Sequence, residues 1–210
     1  MKFIYFAVIL IYNFLIKITS VFNKKAKQFI SGRKDWAKIL GSKVDKNGRY
    51  IWFHCSSLSE FEQGRPLIEI IKKKYKQYKI VLTFFSPSGY EMRKNYDGAD
   101  IVNYLPVDTP ENAKIFLDLI KPEKVFFIKY EYWYFFLSEI AVRKIPLILV
   151  SAVFHTDGIF FKKNFIGKWY RDMLIKFDHL FVQDEKSVQL LREAGINRCS
   201  VAGDTRIDRV

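Results

Sequence analysis

The 210-residue chain has only two cysteines, Cys55 and Cys199, far apart and in no CxxC or Cys/His arrangement. That excludes a disulfide-built scaffold and a thiolate metal centre, and two lone thiols in apolar stretches suit a reducing compartment. There is no GxGxxG and no GKS or GKT, so neither a dinucleotide nor a P-loop fingerprint is present. No Ser-His-Asp order can be traced, and no metal site is expected. Internal repeats and low-complexity tracts are absent. The basic charge comes without zinc-finger spacing or an RNA-binding aromatic signature, so nucleic acid is not an expected partner.

What is there is a chain that is 50% hydrophobic, with 35 Lys+Arg against 22 Asp+Glu and a net charge of +13. It has length for one large domain or half of a two-domain protein. A basic excess of this kind suits anionic lipid or phosphorylated ligands. Residues 3–16 are apolar apart from Asn13 and tyrosine hydroxyls; Lys17 interrupts, and Ile18 to Phe22 continues. Counted to Phe22, with Lys17 snorkelling, the run reaches bilayer length. It has no small-x-small cleavage site. The following Lys24, Lys25, Lys27, Arg33, Lys34 and Lys38 place that flank on the cytoplasmic side by the positive-inside rule. Residues 1–22 are therefore read as a membrane-anchor helix and 23–49 as a basic juxtamembrane connector. A buried core helix is the alternative for 1–22.

From residue 50 onward short apolar runs alternate with amphipathic ones. Strands are expected at Tyr50–Cys55, Ile80–Phe85, Ile101–Leu105, Val125–Ile128, Pro146–Val150, His179–Val182 and Ser200–Ala202. Helices are expected from about Pro66, from Gly89 to Tyr96, from Pro110, over Glu131–Val142, over Phe165–Lys176 and over Asp184–Ala194. Pro66 fits a first helical turn, which leaves Glu60 in the preceding loop or the opening turn. The alternation implies an α/β fold: a Rossmann-like parallel sheet with helices on both faces, spanning residues 50–210.

In such a sheet ligands bind beyond the carboxyl ends of the strands. Four loops fall there: Ser56 to Glu60, Ser86 to Gly89, Tyr130 to Trp133, and Ser151 to His155. Together they offer two carboxylates, several hydroxyls, a glycine at a helix start and a histidine, a set suited to phosphate or sugar. A plainer reading stays open for each. Glu60 and Glu131 could be acids at helix starts, where the macrodipole favours them. Ser86 to Gly89 could be an ordinary strand-to-helix turn. Phe160, Phe161, Lys162, Lys163, Lys168, Trp169 and Tyr170 suit a patch among lipid headgroups, or a half-core, half-solvated face.

Trp52 to Leu67, WFHCSSLSEFEQGRPL, resembles the hallmark of the 3-deoxy-D-manno-octulosonic acid (Kdo) transferases of lipopolysaccharide synthesis. Thr83–Gly89, Leu105–Pro110, Lys129–Trp133 and Val201–Val210 resemble four further motifs of that family in the same order, and Gly32 to Trp36 also fits. The resemblance implies the N-terminal half of a two-domain GT-B glycosyltransferase of inverting type. It implies transfer of Kdo from CMP-Kdo to a lipid A precursor at the cytoplasmic face of the inner membrane, without cofactor or metal. Carried over by position, Glu60 is the expected general base. Ser57, Ser59, Ser86, Ser88, Gly89, Glu131 and His155 are the expected acceptor contacts. The donor-binding C-terminal domain is absent from this sequence, so by the resemblance the chain is the acceptor half and inactive alone. Two residues depart from the family pattern. Ser59 stands where glycine is usual, a strained site if that position needs positive φ. His155 stands where arginine is usual. A membrane-anchored glycolipid-binding module without chemistry is the alternative.

Overall fold

The computed structural model describes residues 1–205; the end of the last motif, residues 206–210, lies outside the described residues. Seven strands form one parallel sheet: β1 (Arg49–Cys55), β2 (Tyr78–Phe84), β3 (Ile101–Tyr104), β4 (Pro122–Ile128), β5 (Leu147–Ala152), β6 (His179–Val182) and β7 (Cys199–Val201). Their order is β3-β2-β1-β4-β5-β6-β7. The winding reverses between β1 and β4, so the loops leaving these two central strands diverge and open a crevice at their carboxyl ends.

Strand alternation sorts the core into two layers. Tyr50 and Trp52 of β1, with Val125 and Phe127 of β4, face one side. There they meet α3 (Trp36–Lys43), α6 (Pro110–Ile120), α7 (Tyr134–Val142), α8 (Phe165–Leu174) and α9 (Glu185–Glu193). Trp52 is its centre, fully buried, with ring centroids 4.7 Å from Phe116, 5.2 Å from Phe127 and 5.7 Å from Phe136. Ile51, Phe53 and Cys55 face the other side, against α4 (Leu58–Lys74). α5 (Pro87–Arg93) follows β2. Both cysteines are buried and free.

The expected strands are all present, with ends shifted by a residue or two, or by more at the start of β4. Two helices differ. α4 begins at Leu58, not near Pro66, because Ser57 and Glu60 form a capping box that starts the helix earlier. Pro66 is thus inside the helix, and Glu60 sits in its first turn. α7 begins at Tyr134, so Glu131 is not a helix-start acid. Residues 129–133 instead leave β4 as an irregular segment. Within 23–49, where the sequence suggested no element, α2 (Lys24–Ser31) and α3 are helical.

α1 (Lys2–Thr19) is long and apolar enough to cross a membrane. One side of it rests on the domain. The Tyr5 ring lies 5.5 to 5.7 Å from those of Tyr134, Phe135 and Trp169, and Tyr12 stacks on Phe85 at 6.4 Å. Tyr5 donates its hydroxyl to Asp108 Oδ2 at 2.6 Å. The other side exposes Phe3, Ile4, Ile11, Phe14 and Leu15.

Candidate active site

The crevice between β1 and β4 brings two carboxylates together. Glu60 comes from the first turn of α4. The Ser57 backbone N–H donates to Glu60 Oε2 at 3.0 Å, and the Glu60 N–H donates to Ser57 Oγ at 3.4 Å. This acid is a helix cap, as the plain reading held, but not a solvated one: it is 9% exposed. Burial, and then the charge of Glu131, push its pKa from 4.5 up to about 8, against the opposing pull of the Ser57 and Ser56 N–H groups and Lys129.

Glu131 is buried at the head of a hydrogen-bonded chain that starts in the core. Trp52 Nε1 donates to Thr83 Oγ1 at 2.8 Å; Thr83 Oγ1 meets His54 Nδ1 at 2.9 Å; His54 Nε2 meets Glu131 Oε2 at 2.7 Å. Trp133 Nε1 also donates to Glu131 Oε2. Thr83 Oγ1 also lies 3.4 Å from Phe53 O and Trp133 Nε1 lies 3.1 Å from His54 Nε2, so the imidazole is held at both nitrogens, Nδ1 by Thr83 and Nε2 by Glu131 and Trp133. His54 Nε2 and Trp133 Nε1 thus converge on one Glu131 oxygen. His54 is fully buried on the same face of β1 as Trp52. A histidine in an otherwise apolar central strand was the available sequence signal for this role, and the sequence reading gave it none.

Strand β4 and its neighbour β5 end in unusual backbone. Lys129, just after β4, has φ 65°, and Ser151 within β5 has φ 62°. The β5–β6 register shifts at Ser151, whose hydroxyl and carbonyl both accept from Gln183 Nε2 at 3.0 Å. Such conformations in non-glycine residues concentrate at functional sites. Asp108, two residues before α6, caps α7: its oxygens accept from Phe135 N at 3.1 Å and Phe136 N at 3.0 Å. Thr109 caps α6.

The remaining expected contacts divide. Ser57 and Ser86 have their hydroxyl oxygens engaged by Glu60 N and Gly89 N as helix caps. Gly89 is buried and supplies clearance: a Cβ there would lie 2.7 Å from the Phe84 ring and 3.2 Å from Leu58 N. Ser59 and Ser88 are exposed hydroxyls at the helix starts. Ser59 is helical and absent from the positive-φ residues, so the feared strain does not arise. His155 is exposed in the loop after β5, and its side chain joins no bonded cluster among the described residues. Phe160, Phe161, Trp169 and Tyr170 pack partly into the core, leaving Lys162, Lys163, Phe165, Ile166 and Lys168 outside. Among the described residues no group of three or more His, Cys, Asp or Glu side chains could hold a metal ion.

A family model described as 3-deoxy-D-manno-octulosonic-acid transferase (kdotransferase) matches residues 33–209. The chain belongs to this family. Among Kdo transferase relatives, the 3-deoxy-D-manno-octulosonic acid transferase of Aquifex aeolicus is 29% identical over 157 residues, 74% of this chain and 40% of its own length. That of Rickettsia bellii is 26% identical over 188 residues, 85% of this chain and 44% of its own. A bifunctional glycosyltransferase/methyltransferase of Fusobacterium nucleatum is 27% identical over 186 residues, 83% of this chain and 28% of its own. The chain thus spans less than half the length of these Kdo transferase relatives. In fold it is similar to the UDP-GlcNAc 2-epimerase of Neisseria meningitidis bound to UDP-GlcNAc, with TM-score 0.56 and 15% identity over 76% of this chain and 48% of that one. It is equally similar to a putative UDP-N-acetylglucosamine 2-epimerase of Listeria monocytogenes, with TM-score 0.57, 15% identity, and 77% and 46% coverage. The architecture is the Rossmann-like, GT-B-like fold that the resemblance implied.

Proposed function

We propose that these residues form the acceptor side of an inverting enzyme that transfers Kdo from CMP-Kdo to a lipid A precursor, with Glu60 as general base. The observation that carries the reading is a buried carboxyl of raised proton affinity at the β1/β4 crevice. A general base works best when its pKa lies near the operating pH, and Glu60 is tuned there by burial and by Glu131. Its carboxylate takes the proton of the acceptor sugar hydroxyl as that oxygen bonds to the anomeric carbon of Kdo and the CMP phosphate leaves. His54 and Trp133 hold the Glu131 side chain in place beside Glu60. Ser59 and Ser88, exposed at two helix starts, are the hydroxyls available to the acceptor. The nucleotide sugar is proposed to sit on a second domain facing this rim, and the 210 residues alone are proposed to be inactive.

The acceptor is an amphiphile, and the exposed apolar side of α1 suits a protein held at the cytoplasmic face of the inner membrane by anionic lipid. Trp169 of α8 packs on Tyr5 of α1, which sets Phe165, Ile166 and Lys168 near that surface. Glu60→Gln in the full-length enzyme should abolish complementation of a strain lacking Kdo transferase. Retained complementation would refute the base. A wild-type full-length protein that bound the lipid A precursor yet formed no product from CMP-Kdo would favour the non-catalytic binding module.

A further inference from the structure

Residues 1–34 contain seven cations (Lys2, Lys17, Lys24, Lys25, Lys27, Arg33, Lys34) and no acid. One of them is buried. Arg33, 9% exposed, donates Nε to Leu105 O at 2.9 Å, Nη1 to Phe29 O at 3.1 Å and Nη2 to Phe85 O at 2.7 Å. Its guanidinium also lies 3.7 Å from the Phe29 ring centroid, and 4.8 and 4.9 Å from those of Phe85 and Tyr104. Among the described residues no carboxylate forms an ion pair with it. Carbonyl dipoles and ring faces offset part of the desolvation, but a buried cation without a counter-charge is costly, and the guanidinium has N–H groups beyond those three bonds.

Arg33 lines a cavity of about 570 Å³ between α1, α2 and the loop after β3. Lys17, Lys27 and Lys34 line it too, and none of them has an ion-pair partner among the described residues; no acid lines it. Leu10, Ile30 and Trp36 make its walls apolar, and Leu10 belongs to the same helix that exposes Ile11, Phe14 and Leu15. Four cations around an apolar-walled groove, opening beside an exposed apolar helix face, match an anion attached to hydrocarbon rather than a free one.

We propose that this groove is a headgroup site for an anionic phospholipid, whose phosphate faces Arg33, Lys27 and Lys34 while its acyl chains run along α1. The site is separate from the Glu60 crevice and does not depend on the transfer reaction. Trp36 in its wall is a reporter.

The test uses the 210-residue chain in phosphatidylcholine nanodiscs with rising phosphatidylglycerol, following the fluorescence change that Trp36→Phe removes. A saturable change is expected. The exposed pair Lys27→Gln/Lys34→Gln should move its midpoint about tenfold, the effect of losing roughly one good charged contact. Lys24→Gln/Lys25→Gln, the same charge loss at the start of α2 and outside the groove, should leave it in place. Equal weakening by both pairs would mean diffuse attraction to the surface and overturn the site. So would the same Trp36 change produced by inorganic phosphate at matching concentrations, which would make it a free-anion site, or a response to a lipid A precursor but not to phosphatidylglycerol, which would make it part of the acceptor site.

Discussion

Replacing Glu60 by glutamine should stabilise the protein, and increasingly so as pH rises. Glutamine keeps the capping box, since its side-chain oxygen can still accept the Ser57 N–H and the backbone N–H of residue 60 can still reach Ser57 Oγ. What it removes is a buried charge. Glu60 ionises near 4.5 when solvated and at about 8 in the fold, so between those pH values the folded chain holds a proton that the unfolded chain has released. The stability contributed by this group is full below the lower value and is lost as pH rises through the upper one. The gap of roughly 3.5 units (about 8 minus 4.5), at about 1.4 kcal/mol per unit, sets a ceiling of roughly 5 kcal/mol. Relaxation and water entry around Glu60 and Glu131 reduce it, so a gain of about 2 kcal/mol above pH 8 is expected. Urea unfolding of both proteins at about pH 4 and about pH 9, in one detergent, reads it directly. Equal stabilities at the acidic pH and a widening gap at the alkaline pH are expected. A gap that stays constant across the range would show that Glu60 titrates like a solvated acid, and would remove the physical basis for its role as base.

Glu131→Gln removes the charge that helps raise Glu60, so the pH midpoint of activity in the full-length enzyme should move downward; an unmoved midpoint in the pH-rate profile would assign the shift to burial alone. His54→Leu leaves Thr83 and Glu131 without their central partner in a dry site, and should cost about 2–4 kcal/mol in urea unfolding. Tyr5→Phe removes one hydrogen bond to a buried carboxylate and should cost about 1–2 kcal/mol. Asp108→Ala should cost more than Tyr5→Phe, because it also uncaps α7, and hydrogen exchange should show the loss at Phe135 and Phe136.

The strands were legible because their apolar residues are short, dense runs bounded by turn residues, and parallel strands buried on both faces have no other way to read. The start of α4 was not. Pro66 looks like a first-turn residue, yet the capping box of Ser57 and Glu60 starts the helix at Leu58, eight residues upstream of it (66 minus 58), and that local bonding decides where the helix begins. α7 failed for the opposite reason. Its cap comes from Asp108, 27 residues before Phe135, and no local pattern can show a partner that the fold supplies. The candidate site was half legible. Glu60 and Glu131 follow from motif positions. The chain Trp52–Thr83–His54 that fixes Glu131 exists only because β1 and β2 pair in register, with His54 opposite Thr83. Ser59 was a concern only while its backbone was unknown; within the first turn of a helix, serine needs no unusual torsion.

The docking of α1 also bears on the order in which the molecule is made. Tyr5 leaves the ribosome well before the groups it touches: Asp108 follows 103 residues later, and Tyr134 and Trp169 later still. In that interval this long apolar helix has no docking surface of its own. A lipid interface that shelters it early would leave its tyrosine side to be claimed later, when the sheet has closed and the last partners arrive. Helix α1 would then form ahead of the sheet and find its place only after it.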